Sequence, residues 1–192
     1  MRGAAGAGLV VLALATGALS AVSADLSEKL AACFACHGTE GQSQIENVPS
    51  LGAQQPSYSL IQLFMFREKM RVAEPMNEAV RDLTDTNLQS IADALVALPP
   101  PQPPDDPADP ARLERARAVT EQNHCNICHR PDFSGQQTVP RLAAQREDYL
   151  LKTLRDYKSG ARHAYEPIML EALQPIGDAQ LIEFAYYLSH LH

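Results

Sequence analysis

Cys33-Phe34-Ala35-Cys36-His37 and Cys125-Asn126-Ile127-Cys128-His129 are the two stretches whose reading decides the fold. Together they hold all four cysteines of the 192-residue chain, as two Cys-x-x-Cys pairs each followed at once by a histidine. Four cysteines would ordinarily suggest two disulfides in an exported protein, but this arrangement offers sharper readings. A zinc site uses the same residue types, yet its two cysteine pairs normally lie about 15–20 residues apart, far closer than these. A thioredoxin-like redox pair needs a βαβ context, and no alternating strand pattern surrounds either pair. Covalent haem attachment needs the trailing histidine as an iron ligand, and both pairs have it. The expected cofactors are therefore two c-type haems, bound through Cys33 and Cys36 and through Cys125 and Cys128. His37 and His129 are the expected iron ligands.

The match between the two stretches extends along the chain. With Cys33 laid on Cys125, Pro49-Ser50-Leu51-Gly52-Ala53-Gln54 corresponds to Pro140-Arg141-Leu142-Ala143-Ala144-Gln145. Tyr58 falls on Tyr149, Gln62 on Thr153, Arg71 on Arg162, Pro75 on Pro167 and Asp85 on Asp178. Two units are too few for a solenoid, so this is a tandem pair of domains. Between them, Pro99-Pro100-Pro101-Gln102-Pro103-Pro104-Asp105-Asp106-Pro107-Ala108-Asp109-Pro110 excludes helix and sheet and predicts a stiff, extended linker over 99–110. Asp109-Pro110 also reads as the N-cap and first position of the next helix.

Both units read as helical. Leu88, Ile91, Ala92 and Leu95 recur at helical spacing, as do Leu181, Phe184, Ala185 and Leu188. Further helices are predicted over about Leu26–Ala32, Tyr58–Met70, Leu113–Asn123 and Tyr149–Lys158. The expected fold is all-α, with domains at 25–98 and 111–192. At roughly 75–80 residues apiece, side-chain cores alone give marginal stability. A tethered haem would supply the missing apolar body, so cofactor and core would be one object.

The other axial ligand separates electron transport from substrate activation, because a methionine sulfur fills the last position and raises the potential. Met169 is the only methionine after the second motif. In the first half Met65, Met70 and Met76 compete. Met65 and Met70 lie in a helical stretch and read as core filler, whereas Met76 follows Pro75 in an expected loop, matching Met169 after Pro167. His163 is the one rival for the second iron; His124, His190 and His192 read as surface residues. Pro49 and Pro140 each have a carbonyl and no N–H, so each could accept a bond from an imidazole N–H and orient the histidine.

Arg2, an apolar run from Leu9 to about Ala21, and the small residues Val22-Ser23-Ala24 read as a signal peptide over 1–24, cleaved before Asp25. The run falls short of the about 20 residues a membrane span needs, leaving an uncleaved anchor as the alternative. The net charge of −7 and the lack of a Lys/Arg block exclude nucleic acid as a partner and favour a basic or neutral docking surface.

These residues together resemble class I c-type cytochromes, specifically the dihaem cytochrome c4 type. The resemblance rests on the haem motifs and on Pro-x-Leu-x-x-Gln-x-x-x-Tyr at Pro49–Tyr58 and Pro140–Tyr149. In the second half Tyr157-Lys158-Ser159-Gly160-Ala161-Arg162, Pro167 and Met169 follow; the first half departs, carrying Phe66-Arg67-Glu68-Lys69-Met70-Arg71 there. The resemblance implies two domains with His/Met-ligated haems close enough to exchange electrons. It implies a periplasmic protein, at most peripherally associated with a membrane. The donor would be a quinol-oxidising complex or a dehydrogenase, and the acceptor a terminal oxidase or another reductase. It also makes Arg71 and Arg162 candidates for neutralising haem propionates. A non-enzymatic electron carrier is the expectation. The alternatives are a haem subunit of a dehydrogenase complex, or a dihaem peroxidase or thiosulfate-oxidising enzyme, which would need an open haem face and nearby acid–base groups.

Overall fold

The computed structural model describes residues 16–163 and 167–192. The first part of the apolar run and most of the expected signal peptide lie outside these, as do residues 164–166. The fold is all-α: among the described residues there is no strand, only an isolated bridge between Gln136 and Val139.

The first half consists of α1 (Thr16–His37), α2 (Pro56–Arg67), α3 (Met76–Ala79) and α4 (Asp85–Val96). The second repeats it with α5 (Pro110–Gln122), α6 (Cys125–His129), α7 (Glu147–Ser159), α8 (Ile168–Leu173) and α9 (Asp178–Ser189). Local chemistry sets several of the helix ends. Pro56 and Pro110 occupy first-turn positions, where a missing N–H costs nothing. Asp109 accepts from Ala111 and Arg112 N–H. Thr84 and Asn87 form a reciprocal capping box. Gly160, at φ 78°, ends α7 in the left-handed region that glycine adopts freely.

In the first half α4 packs on α2 and α1; in the second α9 packs on α5 and α7. The first core gathers Leu63, Phe66, Val80, Leu88, Ile91 and Leu95. The second gathers Phe133, Leu150, Leu154, Leu173, Ile176, Leu181, Phe184 and Leu188, with Phe133 edge-on to Phe184 and Tyr187. Both are small cores for chains of this length.

Several elements differ from the sequence expectations. The helix expected over Leu26–Ala32 runs from Thr16 straight through the first motif to His37, since nothing after Gly17 breaks it. In the second half the corresponding helix stops at Gln122, because His124 adopts φ 56°, and the motif forms its own short helix α6. Met76 and Met169 are not in extended loops but in the short helices α3 and α8. Pro167 has helical angles, φ −60° and ψ −25°; proline suits a helix N-terminus as well as an extended loop. His190 is half-buried rather than a surface residue, its ring 4.1 Å from that of Tyr186. The proline segment forms neither helix nor strand, and it lies against the first half: Pro101 is buried and the Gln102 carbonyl accepts from Gln42 Nε2.

The halves meet with an approximate two-fold relation. Gln145 Oε1 accepts from Ser50 N–H at 2.8 Å and its Nε2 donates to the Ser50 carbonyl at 2.8 Å. Its counterpart Gln54 treats Arg141, the residue equivalent to Ser50, in the same way, at 2.8 and 3.1 Å. The two arginines repeat the pattern. Arg162 donates to Tyr58 and Gln62 across the interface and to Tyr149 and Thr153 in its own half. Arg71 donates to Gln62 and, across the interface, to Tyr149.

Candidate functional site

Each half brings its motif to the edge of its core. All four thiols are free, with Cys33 and Cys125 half-buried and Cys36 and Cys128 exposed. Burial pushes the Cys33 and Cys125 thiols up from their ordinary value, which disfavours the thiolate that a metal ligand requires. Among the described residues no three His, Cys, Asp or Glu side chains converge on a common point.

Both motif histidines are buried. His37 Nδ1 lies 2.8 Å from the Pro49 carbonyl and His129 Nδ1 lies 3.0 Å from the Pro140 carbonyl. A carbonyl oxygen only accepts, so Nδ1 carries the proton and donates. Burial lowers both imidazole pKa values, more than the bond to the carbonyl raises them. The rings are therefore neutral, and each Nε2 holds a lone pair suited to iron. The local fold fixes the proline carbonyls. Gly135, at φ 76°, runs so close to the Pro140–Arg141 peptide that a Cβ there would lie 2.5 Å from Pro140 C and Arg141 N. No other residue fits.

The methionines separate by burial. Met169 is half-buried against the second core and Met76 half-buried against the first. Met65 is buried within α2, at 4% exposure, and Met70 is 55% exposed. His163 is exposed. Each half therefore offers one neutral imidazole and one partly covered thioether.

Arg162 is 6% exposed, and its four bonds all go to neutral oxygens. Burial works against its charge, but the surrounding tyrosine oxygens of Tyr58, Tyr149 and Tyr157 more than compensate, and its pKa rises. Burial raises the Tyr149 phenol, yet Arg162 and Arg71 outweigh that and lower it. The Nε atoms of Arg141 and Arg162 are buried without a hydrogen-bond partner among the described residues. A buried guanidinium with unused donors is costly unless an anion joins it. The carboxylates of haem propionates are anions of the right kind. Free thiol pairs, neutral imidazoles, thin cores and these unused guanidinium donors all fit a haem in each half.

Two helical units built on these parts define a tandem class I c-type cytochrome. No family model matches the chain. Cytochrome c4 of Thiocapsa roseopersicina is 31% identical over 168 residues, covering 83% of this chain and 86% of that protein. The solved cytochrome c4 of Acidithiobacillus ferrooxidans is 28% identical with a TM-score of 0.75, covering 84% of this chain and 99% of that one. A protein of Stutzerimonas stutzeri named thiosulfate dehydrogenase electron acceptor is 29% identical over 144 residues, covering 68% of this chain and 65% of that one. The chain belongs to the cytochrome c4 family. It is a dihaem electron-transfer cytochrome with two covalently bound c-type haems.

In the sequence Gln54, Gln145, Tyr58 and Tyr149 stand out only as members of a repeated motif. The structure puts all four in the interface. The available signal was that the repeat keeps them at matching positions while residues between them differ.

Proposed function

We propose that this chain is an exported periplasmic carrier of single electrons, in which two docked domains at 25–98 and 111–192, joined by the linker 99–110, act as a pair. The observation that carries the reading is the duplicated set of buried neutral histidine, free thiol pair and partly buried methionine. Residues 1–24 direct export and are removed. Cys33 and Cys36, and Cys125 and Cys128, form the thioether bonds. His37 with Met76, and His129 with Met169, are the pairs that would hold the two irons. When bound, each haem supplies a one-electron ferric–ferrous couple.

The chain's residues set the conditions for that couple. Pro49 and Pro140 hold each imidazole in one tautomer and raise its basicity toward the metal. Met76 and Met169, half-buried at the two cores, would complete the ligation of each iron and leave oxygen or peroxide no open position, as suits a carrier. The apolar side chains of the two cores exclude water and reduce the reorganisation that accompanies a change of charge. Arg162 and Arg71, at the junction between the halves, would neutralise haem propionates. Electrons enter from a quinol-oxidising complex or a dehydrogenase and leave to a terminal oxidase or another reductase. A dehydrogenase as donor is favoured by the relative named for accepting electrons from thiosulfate dehydrogenase.

The test is a methionine series followed by absorption at the weak sulfur-to-iron band. Met169→Ala is expected to abolish that band for the second haem, admit carbon monoxide, and lower the potential by on the order of 0.1 V, within the roughly 0.8 V that axial ligands span. Met76→Ala is expected to do the same to the first haem. Met70→Ala should leave both bands intact, since its side chain is mostly in solvent. Loss of the first band in Met70→Ala would transfer the ligand role from Met76 to Met70.

A further inference from the structure

We propose that Gln145 and Gln54 are positioning residues that act across the domain interface, Gln145 on His37 and Gln54 on His129. The inference rests on those histidines being the iron ligands. The chemical link is one peptide group in each half. The Pro49–Ser50 unit is a planar, conjugated amide. Its carbonyl accepts from His37 Nδ1 at 2.8 Å, and its N–H donates to Gln145 Oε1 at 2.8 Å. The Pro140–Arg141 unit does the same between His129, at 3.0 Å, and Gln54, at 2.8 Å. Each histidine is thus connected through a single amide to a side chain of the opposite half.

The glutamines are built for this contact. Each Oε1 also accepts the N–H of the residue that follows it, Gln55 at 2.9 Å and Arg146 at 3.0 Å. Each Nε2 donates to a carbonyl of the other half. Reversing either side-chain amide would set its NH2 against two N–H donors, so the pattern fixes its orientation. Ser50, Gln54 and Gln145 are all buried, where a hydrogen bond polarises its neighbours more than it would in water.

The sign of the effect follows. Donation from Ser50 N–H to Gln145 shifts electron density onto the amide nitrogen and, by conjugation, onto the Pro49 carbonyl oxygen, which becomes more negative. That oxygen then pulls harder on the His37 proton, and the imidazole becomes a stronger donor to iron. A stronger donor favours the ferric state and lowers the potential. Docking of the two halves therefore lowers the potential of each haem, and each half controls the other's.

The experiment compares Gln145→Met and Gln54→Met, near-isosteric variants without the amide, in the full dihaem protein. The potential of each haem is followed by spectroelectrochemistry, with the haems assigned by paramagnetic NMR. Gln145→Met is expected to raise the first haem's potential and leave the second unchanged. The expected size is about a threefold change in oxidised-to-reduced ratio, roughly 28 mV at 59 mV per tenfold. Gln54→Met should do the converse. Gln145→Glu keeps the acceptor and should restore or lower the first potential. Simple loosening of the interface would admit water to both haems and lower both potentials. That result, no shift, or a shift confined to the haem of the mutated half would overturn the inference. In the oxidised wild type, hyperfine-shifted Nδ1–H signals from His37 and His129 report their ligation. If those signals are missing, the ligand assignment fails. If they are present and the potentials stay put, only the cross-domain inference fails.

Discussion

A chain carrying Cys125→Ala and Cys128→Ala is expected to keep one covalent haem and to lose the folded structure of its second half. The second core has about eight large buried side chains from Phe133 to Leu188, too few to hold a unit of roughly 80 residues by area burial alone. Cys125 and Met169 both pack against that core, so a haem tethered there would close it on two sides. Without it, Met169 and its neighbours face solvent. The first half keeps its own motif and core, but loses the partners of Gln54, Arg71 and Ser50. Intact mass after denaturation should show one haem. The far-ultraviolet helical signal should fall by about half, and thermal unfolding should begin at lower temperature. Two retained haems or an unchanged helical signal would contradict this expectation.

The second large effect concerns Arg162. Arg162→Met is expected to destabilise the protein by about 3 kcal/mol, the scale for removing one member of a buried charged network. At about 2–4 °C per kcal/mol for chains of 150–250 residues, the melting temperature should drop by roughly 6–12 °C. The loss comes from partners left unsatisfied. Tyr58 and Thr153 would lose the bonds that Arg162 gives them, at 2.9 and 3.3 Å, and Gln62 and Tyr149 would each lose one of two. Arg71→Met should cost less. Arg71 is half-buried, and its interdomain bond to Tyr149 is long at 3.4 Å; much of its contact is the stacking of its guanidinium over Phe66 at 4.4 Å. Differential scanning calorimetry of the two variants checks the order. Equal losses, or a gain in Arg162→Met, would mean that relief of desolvation outweighs the lost bonds.

Much of the fold is legible in the sequence because its signals are local. Leu88, Ile91, Ala92 and Leu95 mark α4, and Leu181, Phe184, Ala185 and Leu188 mark α9, since one apolar face at helical spacing needs no knowledge of its partner. Asp109-Pro110 marks the start of α5 for the same reason. The cysteine–histidine motifs announce their cofactor, and a proline carbonyl near each histidine is one of few acceptors an imidazole could find. What is not legible depends on the meeting of surfaces. Nothing near Gln145 in sequence indicates that its amide reaches Ser50, and Arg162 looks like an ordinary exposed arginine until α2 and α7 are brought together. The break at His124 turns on a single backbone torsion that histidine adopts only occasionally. The positions of Met76 and Met169 are intermediate: a proline shortly before a methionine serves an extended loop and a short helix equally well.

The central claim is that two haems held by docked halves work as one electron-exchanging pair, and intramolecular electron exchange tests it most directly. A flash of reductant that delivers less than one electron per molecule would be followed by the spectral redistribution between the two haems. A first-order redistribution is expected, with a rate that does not change with protein concentration. A rate that rises in proportion to concentration would mean that electrons pass between molecules and not between the halves, and would contradict it.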